Sequence, residues 1–375
     1  MSTLANDARP VGAGRVVENT LDYVQFGSYQ DAFAAQAPMP ASGVELLRAS
    51  DIAPEPIGWV WPGYLARSKL HVLAGAPGTG KTALSIAMMA SITSGNPFPD
   101  GTSIPTTGDV VIWSGEDGIE DTLVPRLIAA GANRERVQIV SGTIDGDGMR
   151  RPFDPSRDLS RLTVALAKCT NLSLVVIDSL VSVTTGNSHK NAETRKDLTP
   201  VQELAIACHV PVLGIMHFSK GTQGRDPLER VNGSLAFGAL PRLVFCTAKQ
   251  EDGKRLFIRA KSNIGPEGDG FAYSCDAVTI ADDITTMRVE WLEPVTGTPR
   301  ELLDRAEAVQ APERRNQARD FLQGKLSGGP LPKDEVEHYA QEAGITPRTL
   351  QRAAQQLGVK YTRSEFGGGT TWSME

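Results

Sequence analysis

The sequence predicts an α/β fold: a parallel sheet with crossover helices, extended by antiparallel strands and followed by a small helix-and-hairpin module. Three observations carry this. Short β-rich runs alternate with helical stretches from residue 69 onward, a series of β runs without room for helices follows residue 242, and a glycine-rich turn joins the first run to the first helix.

The chain has 375 residues, and one hydrophobic core rarely grows beyond about 250 to 300, so more than one packed core is expected. With 38 Lys+Arg against 44 Asp+Glu the formal charge is -6, which excludes a cationic coat for nucleic acid and restricts any such contact to a local patch. The strongly apolar runs at 172–177 and 210–216 fall far short of the roughly 18 to 20 residues a bilayer crossing needs. No membrane span is expected, and MSTLANDARP is not the start of a secretory signal. Four cysteines at 169, 208, 246 and 275 form no CxxC pair, which fits reduced thiols in a cytoplasmic protein and argues against a zinc site.

Residues 1–50 mix Ala, Gly, Pro, Gln and Asn with little periodicity apart from one short helical stretch at 28–36, and read as a mostly disordered arm. The α/β domain is expected over 51–293. Its parallel strands are 69–74, 109–114, 137–140, 172–177 and 212–216, with helices at 82–93, 120–130, 159–168 and 194–208 between them. Runs at 243–247, 255–260, 271–275 and 287–291 predict closing antiparallel hairpins. Pro294, Gly297, Pro299 and Pro312 surround a charged helical piece, so 294–312 reads as a linker or bridging helix.

Residues 313–375 predict helices at 315–326, 333–343 and 347–357, then two strands flanking Gly367-Gly368-Gly369, which is the plan of a winged helix. Gly344 ends the second helix, Thr346 caps the third and Pro347 fits its first turn. Leu350, Ala354 and Leu357 share one face of that helix, leaving Arg348 and Arg352 among the candidate DNA-facing residues. The near-balanced charge of this module leaves DNA and a protein as alternative partners.

The turn is Gly75-Ala76-Pro77-Gly78-Thr79-Gly80-Lys81-Thr82, a match to GxxxxGK[ST] after an apolar strand and before a helix. Glycines let successive N–H groups converge on a β-phosphate, the helix N-terminus adds positive potential, Lys81 reaches the β and γ oxygens and the Thr82 hydroxyl ligates Mg2+. The expected ligand is a nucleoside triphosphate. Residues 174–177 are apolar and end in Asp178, which a buried strand would deliver to the carboxyl edge of the sheet as the second Mg2+ residue. Ser179 follows, so the carboxylate that orients the attacking water must come from elsewhere. The strand at 110–113 runs into Gly115-Glu116-Asp117; Glu116 is the candidate base and Asp117 its competitor. His217 ends a further strand and is read as a γ-phosphate sensor, against an incidental loop histidine.

In this order the features resemble RecA-like ATPases, specifically the plasmid and phage branch that includes the RepA-type hexameric replicative helicases. The resemblance covers about residues 57–291. It implies a RecA-like P-loop NTPase core, a homo-oligomeric ring acting on single-stranded DNA, catalysis by Glu116 and coupling of hydrolysis to DNA loops through His217. It also implies a basic finger from a late hairpin reaching the neighbouring subunit's site, a role that falls on Lys261 with Arg259 as its alternate. The polar stretch after His217 offers Lys220, Arg225 and Arg230 to DNA phosphates, tempered by Asp226 and Glu229; the loop with His189, Lys190, Arg195 and Lys196 is a second candidate.

Overall fold

The computed structural model describes residues 44, 46–186, 191–219, 221–231, 235–308, 310–363 and 370–374. The chain divides into two compact units, Met1–Pro54 and Glu55–Glu375. In the first, the described residues are exposed and make one 3-10 turn, Ala49–Asp51; the expected disordered arm otherwise falls outside the described residues.

The second unit opens with β1 (Trp59–Trp61), β2 (Leu65–Ala66) and β3 (Leu70–Gly75), followed by α1 (Lys81–Ser94), β4 (Asp109–Ser114), α2 (Val124–Ala129) and β5 (Val137–Ile139). A small hairpin, β6 (Thr143–Ile144) and β7 (Arg150–Arg151), precedes α3 (Pro155–Leu166), β8 (Leu172–Asp178), α4 (Asn191–Ala207) and β9 (Val212–His217). Short helices α5 (Pro227–Arg230) and α6 (Leu235–Ala239) lead into β10 (Leu243–Lys249), β11 (Arg255–Ser262), β12 (Gly270–Ala281) and β13 (Ile284–Val295). The rest is α7 (Pro299–Ala308), α8 (Gln310–Leu326), β14 (Leu331–Pro332), α9 (Lys333–Glu342), α10 (Pro347–Gln356), β15 (Lys360–Arg363) and β16 (Thr370–Ser373).

Nine strands form one sheet in the order β13-β12-β11-β10-β3-β9-β8-β4-β5. From β10 to β5 every pairing is parallel, and β11, β12 and β13 are added antiparallel. Alternation along the strands sorts side chains to two faces. Leu70, Val72 and Ala74 join Val175 and Ile177 in one hydrophobic cluster, while Leu73 joins Leu174 and Val176 in the other. Helix α1 carries no charge after Lys81 and is buried nearly all round, because it touches β3, β4 and β8 of the sheet and also α2 and β13.

The β12–β13 hairpin runs further than expected, twelve residues in each strand. Residues 294–312, expected as a linker or bridging helix, hold α7, whose Leu302, Leu303 and Ala306 are buried in the cluster on one sheet face. The helical stretch expected at 120–130 begins as a π-helical turn, Ile119–Leu123, before α2. Elements α8 to β16 enclose a separate cluster that includes Leu322, Val336, Leu350, Ala354 and Trp372, and β14, β16 and β15 form its three-stranded sheet.

Candidate nucleotide site

Register along the carboxyl edge of the sheet assembles the site. Thr247 pairs with Gly75, Gly75 pairs with His217, and Asp178 pairs with Ser114. A strand that follows another in sequence need not lie beside it: β4 is separated from β3 by β9 and β8. Glu116 therefore arrives next to Asp178 and His217, across the sheet from the phosphate loop.

The loop is held by close approach. A Cβ on Gly75 would lie 2.0 Å from the Thr247 hydroxyl oxygen, so only glycine lets β3 run this near β10. Gly78 and Gly80 have φ of 77° and 80°, the left-handed region that bends the chain into α1. Thr79 is buried; its hydroxyl donates to the Ala76 carbonyl at 2.9 Å and shares a 2.7 Å hydrogen bond with the Thr247 hydroxyl. Ala76, Pro77 and Gly78 are exposed at the mouth.

Lys81 is 6% exposed. Its Nζ donates to the Gly75 and Ala76 carbonyls at 3.1 and 3.0 Å, and stands 3.3 Å from His217 Nδ1. Burial pulls the ammonium down to about 8, opposed by Asp178 and Glu116. The Thr82 hydroxyl donates to Asp178 Oδ2 at 2.7 Å. Asp178 is 2% exposed, and burial pushes its carboxyl up to about 6, with Thr82 acting against the rise and Glu116 and Asp117 adding to it.

Thr82 and Asp178 thus put two oxygen donors side by side. Among the described residues no group of three or more His, Cys, Asp and Glu is placed to hold a metal. The pair suits Mg2+, which takes one or two protein oxygens and fills its remaining positions with phosphate and water.

Geometry separates the two candidate bases. The Ser114 hydroxyl accepts from the backbone N–H groups of Glu116 and Asp117 at 3.3 and 3.0 Å, which shapes the turn after β4. Asp117 is then taken up by Arg126 at 2.6 Å. Glu116 stays half exposed, with Oε2 3.7 Å from His217 Nε2. His217 consequently spans the lysine and the glutamate. This arrangement can neutralise a polyphosphate with Lys81 and the loop N–H groups and hold a water at Glu116.

The other sequence candidates lie away from this cluster. Because β11 is antiparallel to β10, Lys261 pairs with Val244, at the end of the strands away from Thr247, and Arg259 pairs with Phe245 in mid-strand. Lys261 Nζ donates to the Gly238, Ala239 and Pro241 carbonyls at 2.8 to 3.0 Å. Arg259 is buried, with its guanidinium 4.9 Å from the Tyr64 ring centre and Nη1 donating to Gly63 O.

Arg230, read from the sequence as a phosphate contact, is 4% exposed. It lies over Phe218 at 4.3 Å and pairs with Glu307 of α7 at 2.5 Å, so the fold itself occupies this guanidinium. Arg225 and Arg352 are exposed, as are Arg195 and Lys196, which belong to α4. Lys220, His189 and Lys190 lie outside the described residues, and Arg348 sits in the first turn of α10.

Three participants have no sequence signature. Thr247 touches the loop from β10, the Tyr273 hydroxyl donates to Thr79 O at 2.7 Å, and Arg126 disposes of Asp117. Each depends on a pairing between distant segments. The one available hint for Thr247 is a polar residue at the end of an apolar run.

No curated protein matches the chain. Among solved structures it is similar to the ATPase domain of G40P, at 12% identity and TM-score 0.43, covering 56% of this chain and 82% of that one. It is also similar to the RadB recombinase, at 20% identity and TM-score 0.39, covering 60% of this chain and 93% of that one. A family model described as AAA domain matches residues 36–223, half of the chain. The phosphate loop, strand-end acids and mostly parallel sheet accord with that match, and by it the chain belongs to the AAA domain family of P-loop ATPases.

Proposed function

We propose that the protein is an ATP-driven motor on single-stranded DNA, a ring-shaped replicative helicase of a plasmid, phage or mobile element close to the RepA-type branch. The observation that carries this reading is the position of His217. It stands between Lys81 and Glu116, and the chain leaving it is tied outward: Phe218 bridges Val231, Ser219 N–H donates to Arg230 O, and Arg230 pairs with Glu307 of α7. A change at the γ-phosphate position would reach a surface loop and a helix through packed groups.

In this reading the loop from Gly75 to Thr82 grips the triphosphate and Glu116 orients water for in-line attack on the γ-phosphorus. His217 exchanges its partners for the γ-phosphate. Mg2+ held by Thr82 and Asp178 supplies charge neutralisation when bound. Lys261, with Arg259 as alternate, is the finger toward the neighbouring subunit of a hexamer in this reading, a role that requires Lys261 to leave the Gly238, Ala239 and Pro241 carbonyls it holds in its own subunit. The order of elements from α8 to β16 supports a winged helix that presents Arg348 and Arg352 to DNA.

A second reading is favoured by one observation: with Arg230 internally paired, Arg225 is the exposed base among the described residues of the loop after His217. An ATP-switched DNA-binding regulator or recombination accessory ATPase needs no more than that. Strand displacement on a forked duplex, with wild type and Lys81→Ala, separates the two. The motor reading expects displacement by wild type alone; DNA-stimulated hydrolysis without displacement would select the switch.

A further inference from the structure

The strands of the antiparallel extension reach back to the phosphate loop. Tyr273 on β12 is fully buried, and its hydroxyl donates to the Thr79 carbonyl at 2.7 Å. Thr247 on β10 holds the Thr79 hydroxyl at 2.7 Å, and the same hydroxyl donates to Ala76 O. Thr79 is therefore held through both its main chain and its side chain, from two strands more than 160 residues away in sequence. Cys275, two residues beyond Tyr273, completes the contact: a Cβ on Gly80 would lie 3.3 Å from its sulfur.

The peptide joining Thr79 to Gly80 is trans, the cis bond among the described residues being Asp178–Ser179. In a planar trans peptide the carbonyl and the following N–H point in opposite directions. Fixing Thr79 O against Tyr273 turns the Gly80 N–H away from β12. A hydrogen bond accepted by the carbonyl also polarises the amide and makes that N–H a better donor. A buried tyrosine hydroxyl needs some acceptor; here the acceptor is the peptide whose other end belongs to the phosphate-binding turn.

We infer that Tyr273, seconded by Thr247, is a positioning residue for nucleotide binding: it orients the Thr79–Gly80 peptide so that the Gly80 N–H meets the β-phosphate of the bound nucleotide. The inference rests on the reading of Gly75 to Thr82 as the triphosphate site. Because ATP and ADP share the β-phosphate, the contribution is the same for both. It acts on affinity more than on the rate of the chemical step, since Tyr273 touches no reacting atom.

The test is equilibrium binding of MgATP and MgADP to wild type, Tyr273→Phe and Thr247→Val, alongside kcat and KM and the melting temperature without nucleotide. Loss of one net hydrogen bond predicts a weakening of about two- to tenfold, equal for ATP and ADP, with KM rising in step and kcat changing less. Tyr273→Phe with unchanged affinities and a lowered melting temperature would reduce Tyr273 to a packing role and overturn the inference, as would a loss confined to ATP. If Tyr273→Phe fails to fold, Thr247→Val decides by the same criteria. Wild type that binds no nucleotide would instead sink the parent reading.

Discussion

Two lysines in this molecule, Lys81 buried and Lys261 partly exposed, make the same kind of bond in different surroundings. Lys81 donates to the Gly75 and Ala76 carbonyls at the carboxyl edge of the sheet. Lys261 donates to the Gly238, Ala239 and Pro241 carbonyls at the other end of β11. Burial lowers the ammonium pKa of both. Around Lys81 stand Asp178, Glu116 and His217, with exposed loop residues at the mouth. Around Lys261 are carbonyls at and beyond the end of α6, which have no partner within the helix. The hydrogen bonds of the two lysines are alike; the acids and the opening beside Lys81 are what set it apart.

That contrast can be broken at several points. The largest effect is expected at the acids that face Lys81. Glu116→Gln should lower kcat by about a hundredfold or more while MgATP binding persists, consistent with loss of a positioned base. Asp117→Asn should keep kcat near wild type, because Arg126 already occupies that carboxylate. Single-turnover hydrolysis and equilibrium binding measure both, and the reverse ranking would move the base to Asp117.

Next comes Lys261, which its own subunit holds by three carbonyls. Lys261→Ala removes the donor to three carbonyls and should destabilise the nucleotide-free protein by about 1 to 3 kcal/mol in a urea melt. A fall in turnover with stability intact, rescued by mixing with Lys81→Ala subunits, would instead make Lys261 a residue that acts on the neighbour.

The smallest expected effect is on pH dependence. The Asp178 carboxyl is raised from 3.8 to about 6 by burial. A raised carboxyl pKa favours the folded state fully below the unfolded value, and that advantage is lost as pH rises through the folded value. Ionised Asp178 thus costs the nucleotide-free protein some stability above pH 6. Asp178→Asn should therefore melt higher than wild type at pH 8, and the two curves should converge toward pH 4. Equal melting temperatures at pH 8 would mean that Thr82 and water already compensate the charge.

Much of this arrangement was readable before folding. The strand, turn and helix around Gly75 to Thr82 are contiguous in the chain, and Asp178 closes an apolar run that leaves no doubt of a buried strand. The choice between Glu116 and Asp117 was not readable, because it rests on Arg126 coming round α2 to meet one of them. Arg230 looked like a phosphate ligand from its polar surroundings in sequence, yet Phe218 and Glu307 enclose it. The adjacency of β3 and β4 in sequence likewise concealed the two strands that lie between them.

The sequence by itself determined the local chemistry: which turn curves around a phosphate, which runs alternate as strands, and which strand ends carry acids or a histidine. Those properties follow from backbone preferences and side-chain period, which act over a few residues. Tertiary structure alone decided that Thr247 and Tyr273 hold Thr79, that His217 bridges Lys81 and Glu116, and that Lys261 and Arg230 are bound within the fold. Each of those contacts joins segments that only the strand order of the sheet and the helices packed on it bring within bonding distance, and hydrogen bonds and ion pairs act only at that range.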